Sequence, residues 1–160
     1  MAHSYGAYIA RIFAANYPER IAALMLIEPA SEHDVDIMRR IDLEKAEDEI
    51  AQIKLDDMKN GMSNQYLDFW SKRPLPDHPE IPDIPVTVIA SIKRYDNPPF
   101  LFFTDEARDM WGELHTQWAD SFPRGKTVLT DKSYHNPHRD EPQLVIKEIV
   151  ELVHRIDKKQ

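Results

Sequence analysis

The 160-residue chain contains no cysteine, which excludes disulfides, thiolate-metal sites and a cysteine nucleophile. A reducing compartment suits such a chain. It has no long apolar run either: the longest clean stretch, Ile21 to Ile27, is far short of the roughly 20 residues that cross a bilayer, so no membrane partner is expected. The N-terminus lacks a basic region leading into an apolar core and a small-residue cleavage site. Secretion by a signal peptide therefore has no support, and the expected location is cytoplasmic. Positive charge is in deficit, 20 basic against 28 acidic residues, and the formal charge of −8 repels nucleic acid at long range. No internal repeat is visible.

What remains is of globular type. Hydrophobic residues make up 42% and charged residues 30%, near the globular average. A single domain of this length buries about 70% of its unfolded surface, so the expected organisation is one domain over residues 1–160.

Along the chain, Tyr8, Ile9, Ile12 and Phe13 recur at helical spacing after Ser4, and Pro18 ends that segment. Ile21 to Ile27 is a continuous apolar run of the kind buried on both faces of a parallel sheet. Residues 31–80 change character. Val35, Met38, Ile41, Ala46, Ile50 and Ile53 recur among many charges, Gly61 breaks the pattern, and Tyr66 to Trp70 adds a short aromatic helix before a proline-rich connector. This reads as a helical insertion.

Pro85 to Ser91 is rich in β-branched residues and predicts a second strand. Thr104-Asp105-Glu106 has the chemistry of a helix start, ahead of the stripe Ala107, Met110, Trp111, Leu114 and Trp118. Lys126 to Thr130 predicts a third strand, and Val145 to Ile156 the last helix. Strands alternating with helices argue for an α/β fold with a parallel sheet and right-handed crossovers.

Three residues could meet at the carboxyl ends of those strands, where ligands collect in an open parallel sheet: Ser4, Glu28 and His135. Ser4 sits between Ala2 and Gly6 directly before a helix, the layout of a nucleophile elbow. A serine hydroxyl needs a base within hydrogen-bond reach, which His135 would supply. A carboxylate at Glu28 would orient the imidazole and stabilise its cation. The backbone N–H of Tyr5, at the start of the helix, would donate to an oxyanion.

Each residue also has a plainer reading. Ser4 is a suitable helix N-cap, and Glu28 before a proline suits a solvated strand end. His135, His138 and Asp140 resemble the beginnings of a metal site, but no further ligand or helical His-Glu-x-x-His pattern accompanies them, so no metal is expected. His138 reads as a loop side chain and His3 as an elbow packing residue.

The motifs together resemble the C-terminal half of an α/β-hydrolase of the esterase, lipase and dehalogenase-like superfamily. They are His3-Ser4-Tyr5-Gly6, Tyr17-Pro18-Glu19-Arg20-Ile21, Leu26-Ile27-Glu28-Pro29-Ala30, Ile84 to Ile89, and Ser133-x-His135-x4-Asp140-x-Pro142-x2-Val145. The resemblance implies a partial α/β-hydrolase fold: three parallel strands, flanking helices and a lid-like insertion at 31–80. It implies a serine hydrolase acting on a small ester-like substrate through a Ser4–His135–Glu28 triad, with no cofactor. Tyr66, Phe69 and Trp70 would line the substrate pocket.

Two departures stand out. Ala2 replaces the first glycine of the elbow, a small residue as the turn requires. Where many relatives place the acid, the chain reads Ser91-Ile92-Lys93-Arg94-Tyr95-Asp96, which makes Asp96 the alternative to Glu28. With only three residues ahead of Ser4, an inactive truncated fragment or a structural half that needs a partner chain is the competing expectation. In that case the apolar strand edge at 21–27 would favour pairing with a second copy.

Overall fold

A computed structural model describes residues 1–62 and 80–157. In chain order its elements are β1 (Ala2–His3), α1 (Gly6–Asn16), β2 (Leu24–Ile27), α2 (Asp34–Ile41), α3 (Leu43–Lys59), β3 (Val86–Ser91), α4 (Asp105–Asp120), β4 (Gly125–Thr130), α5 (Pro137–Asp140) and α6 (Pro142–Asp157). They divide into two compact units, one of Met1–Ser31, Asp77–Lys93 and Asp109–Gln160, the other of Glu32–Pro76 and Arg94–Arg108.

The first unit is an α/β layer structure. Its sheet is wholly parallel, in the order β1-β2-β3-β4. All six residues of β3 are buried, as an interior parallel strand with both faces covered requires. One face of the sheet carries Met25, Ile27 and Ile89, packed against Val145, Ile149 and Leu152 of α6. On the same face Arg155 of α6 donates to the carbonyls of Val86 and Arg124 and to the Thr87 hydroxyl. Lys126 on β4 pairs with two carboxylates of α6, at 2.5 Å from Glu148 and 2.5 Å from Glu151. Helices α1 and α4 meet where the Arg11 guanidinium lies 5.4 Å from the centre of the Trp118 ring.

The sheet has four strands where the sequence predicts three. The additional one, β1, is two residues long and pairs Ala2 with Leu26 and His3 with Ile27. A pair of residues carries no periodicity, so only its partner strand makes it β. The apolar edge expected at 21–27 is correspondingly altered: β1 covers its carboxyl end, and Leu24 to Ile27 are all buried. That strand also starts later than its apolar run, because the Ile21 N–H closes a 3-10 turn on the Pro18 carbonyl. His138, expected in a loop, lies in the one-turn helix α5, which Pro137 starts.

The second unit is helical. Val35 and Met38 of α2, Ala46 and Ile50 of α3, and Leu101 form its core, with Ile41 and Phe102 packed against it. Asp42 separates the two helices by capping α3, its carboxylate accepting from the Lys45 N–H at 3.0 Å. Gly61 leaves the helical path at φ +67°, which glycine adopts without steric cost. Thr104 caps the next helix as its sequence suggests, accepting from the Ala107 N–H. The segment Arg94–Arg108 joins this unit because Leu101 supplies core volume and its N–H donates to Glu49 at 2.7 Å.

Candidate active site

Ser4 ends β1 and extends its ladder by donating its N–H to the Ile27 carbonyl at 3.1 Å. The chain then turns sharply: Ser4 has φ +51°, and its own carbonyl accepts from Ala7 at 3.0 Å and from Ala30 at 3.1 Å. A side chain in this left-handed region costs on the order of 1–2 kcal/mol. The three backbone bonds hold the residue there. Tyr5 follows in right-handed geometry, its carbonyl accepting the Tyr8 N–H as α1 begins. A Cβ on Gly6 would lie 3.7 Å from that of Ala2, so small residues at both positions let helix and strand approach closely.

Glu28 ends the neighbouring strand in the same manner. Its φ is +42°, its N–H donates to the Ile89 carbonyl at 2.7 Å, and its side chain is buried. One carboxylate oxygen accepts from the Ser91 N–H at 2.6 Å. Because His3 pairs with Ile27, Ser4 and Glu28 are next to each other at the ends of adjacent strands, which run about 4.8 Å apart.

His135 follows β4 on an exposed loop. Its carbonyl accepts from His3 Nε2 at 2.7 Å, and the ring centres of His3 and His135 are 4.7 Å apart. His3 immediately precedes Ser4, so this contact carries the histidine loop to the elbow. His3 also touches the His138 ring, with centres 4.6 Å apart. Burial, the His3 ring and Arg139 hold the His138 pKa below its usual range, with Asp140 acting in the opposite sense. Its Nδ1 is buried with no hydrogen-bond partner. Among the described residues no group of three or more His, Cys, Asp or Glu is arranged to hold a metal ion.

Ser4, Tyr5, Glu28 and His135 therefore share the carboxyl rim of the first unit's sheet. Asp96, the alternative acid, is exposed on a bend in the second unit. Tyr66, Phe69 and Trp70 lie outside the described residues. Sequence reasoning gave no role to Ser91, Lys93 and Ser133, which link the strand ends at this rim. The Ser91 hydroxyl donates to the Ser133 carbonyl at 2.6 Å, and Lys93 Nζ donates to the Lys132 carbonyl at 2.9 Å. The available signal was a serine closing a β-branched run where relatives carry the acid.

Residues 1–63, which contain the elbow and Glu28, match the alpha/beta hydrolase fold family. The match covers 63 of the chain's 160 residues. The chain is also similar to the crystal structure of a protein designated a non-heme bromoperoxidase, BpoC, from Mycobacterium tuberculosis H37Rv, at 15% identity and a TM-score of 0.48. That similarity covers 96% of this chain and 65% of the other, so the chain spans about two thirds of its length. No curated protein matches the sequence. The parallel strands and the helices packed on them make the first unit an α/β fold, and no helix among the described residues is long and apolar enough to cross a membrane.

Proposed function

We propose that the protein is a serine hydrolase that cleaves a small carboxylic ester or similar acyl bond through a Ser4 acyl-enzyme. The observation that carries this reading is the left-handed turn at Ser4 on the same sheet rim as Glu28 and His135. Strain held at a residue with the chemistry of a nucleophile is unusual for a plain helix cap, whose backbone is normally extended. In the reaction, Ser4 Oγ bonds to the acyl carbon while His135 takes the hydroxyl proton. The carbonyl oxygen becomes an oxyanion that accepts from the Tyr5 N–H. Collapse breaks the acyl–oxygen bond, and the alcohol leaves with the proton from His135. Water then attacks the acyl-enzyme by the same route, returning the proton to Ser4 and releasing the acid. Glu28, buried and fixed by the Ser91 N–H, orients the imidazole and stabilises its charged form. No metal or organic cofactor is needed for these steps.

The test is fluorophosphonate labelling of the purified chain, together with turnover of chromogenic short-chain esters. Ser4→Ala should abolish labelling, and His135→Ala and Glu28→Gln should each lower kcat by about 10³-fold or more. Labelling that persists in Ser4→Ala removes the nucleophile from the scheme.

A further inference from the structure

We propose that Ser91 and Lys93 are positioning residues for His135, forming a clamp at the end of β3 that ties the histidine loop to the acid. The inference rests on the hydrolytic reading of Ser4, Glu28 and His135 and adds residues that reading does not contain. Three consecutive residues before the histidine are held from one short segment. Lys93 Nζ donates to the Lys132 carbonyl at 2.9 Å, the Ser91 hydroxyl donates to the Ser133 carbonyl at 2.6 Å, and Lys93 Nζ lies 4.0 Å from the centre of the Tyr134 ring. The clamp is also braced internally, since the Lys93 N–H donates to the Ser91 hydroxyl at 3.2 Å. The Ile92 N–H donates to the Thr130 carbonyl at 2.7 Å, so the segment remains joined to β4 where the histidine loop departs.

Ser91 is the centre of this arrangement. Its N–H holds the Glu28 carboxylate at 2.6 Å while its hydroxyl holds the loop, so one buried residue sets acid and histidine relative to each other. The physical need is clear from exposure. His135 lies on an exposed loop, and such loops move unless they are tied down. A displacement of about 1 Å in a reacting group can cost about a hundredfold in rate. The Lys93 cation is used on a backbone carbonyl and an aromatic ring of the histidine loop.

The experiment compares wild type, Lys93→Met, Lys93→Arg and Ser91→Ala by ester turnover, and by NMR of the His135 imidazole in histidine-labelled protein. Lys93→Met keeps the aliphatic stem and deletes the charge, so it carries the test even if Ser91→Ala folds poorly. Expected are a fall in kcat of about 10- to 100-fold with KM within about twofold, and a shifted or broadened His135 resonance. Lys93→Arg should recover most of the rate, because a guanidinium can still reach the carbonyl. Wild-type kcat and an unchanged His135 resonance in Lys93→Met would overturn the proposal. If the wild-type chain is not labelled at Ser4, the hydrolytic reading is what has failed. The clamp is then judged on the His135 resonance and on amide exchange at residues 132–135: faster exchange in Lys93→Met upholds it, and unchanged exchange overturns it.

Discussion

Replacing Ser4 by glycine should make the protein more stable than replacing it by alanine, although both changes delete the same hydroxyl. Ser4 sits at φ +51°, held by the bonds to Ile27, Ala7 and Ala30. Alanine keeps the Cβ and therefore the left-handed penalty, on the order of 1–2 kcal/mol. Glycine removes that penalty but gives the unfolded chain more freedom, which costs about 0.4–1 kcal/mol. At the middle of both ranges the difference leaves Ser4→Gly ahead of Ser4→Ala by about 0.8 kcal/mol, and at most by about 1.6 kcal/mol. Loss of the hydroxyl is common to both variants and cancels. Urea unfolding monitored by circular dichroism reads this directly, with equal m-values as the check that the unfolded states match. In thermal unfolding the same difference appears as about 2–4 °C per kcal/mol for a chain of this size. An alanine variant at least as stable as the glycine variant would refute the claim that the elbow stores backbone strain. Neither variant should react with a fluorophosphonate, so a stability gain would come with loss of the proposed nucleophile.

Other perturbations test separate parts of the fold. Lys126→Met removes the cation from the buried Glu148. Burial works against the Lys126 charge, but the hydrogen bonds and fields of Glu148 and Glu151 outweigh it and raise its pKa. Breaking a fully buried pair costs about 3–5 kcal/mol, and because Lys126 is 32% exposed the expected loss is nearer about 2 kcal/mol, with part recovered by adding Glu148→Gln. Gly125→Ala would bring a Cβ to 1.8 Å from the Ala119 carbonyl oxygen, a backbone atom with little room to move. The loss should be about 3 kcal/mol or more, seen as failure to give a cooperative unfolding transition. The depressed pKa of His138 means that the unfolded chain binds the proton first as pH falls below about 6.5. Stability should therefore decline with acidification until the folded His138 is itself protonated, and His138→Asn should flatten the dependence of Tm on pH in that window.

The positions that sequence reasoning could and could not reach differ in a regular way. β2 and β3 are visible as apolar runs because a parallel strand covered on both faces must be apolar at every position. Thr104 and Gly61 are visible because a cap and a left-handed turn demand particular side chains. β1 is not, since two residues have no period, and neither is the membership of Arg94–Arg108 in the helical unit, which Leu101 decides by packing with residues far earlier in the chain. The left-handed turn at Ser4 is foreshadowed by the small residues around it, whereas the one at Glu28 has no glycine to announce it.

The residue types at the candidate site, a serine before a helix, an acid after a strand and a histidine after the last strand, were written in the sequence as local chemistry. Their neighbourhood was not. Ser4 and His135 come to one rim because strand register sets His3 opposite Ile27 and because His3 reaches the His135 carbonyl. Ser91 links Glu28 to the histidine loop through one N–H and one hydroxyl. Such bonds join residues 42 and 63 positions apart, and a contact across that distance depends on how strands stack, which no local pattern of side chains encodes.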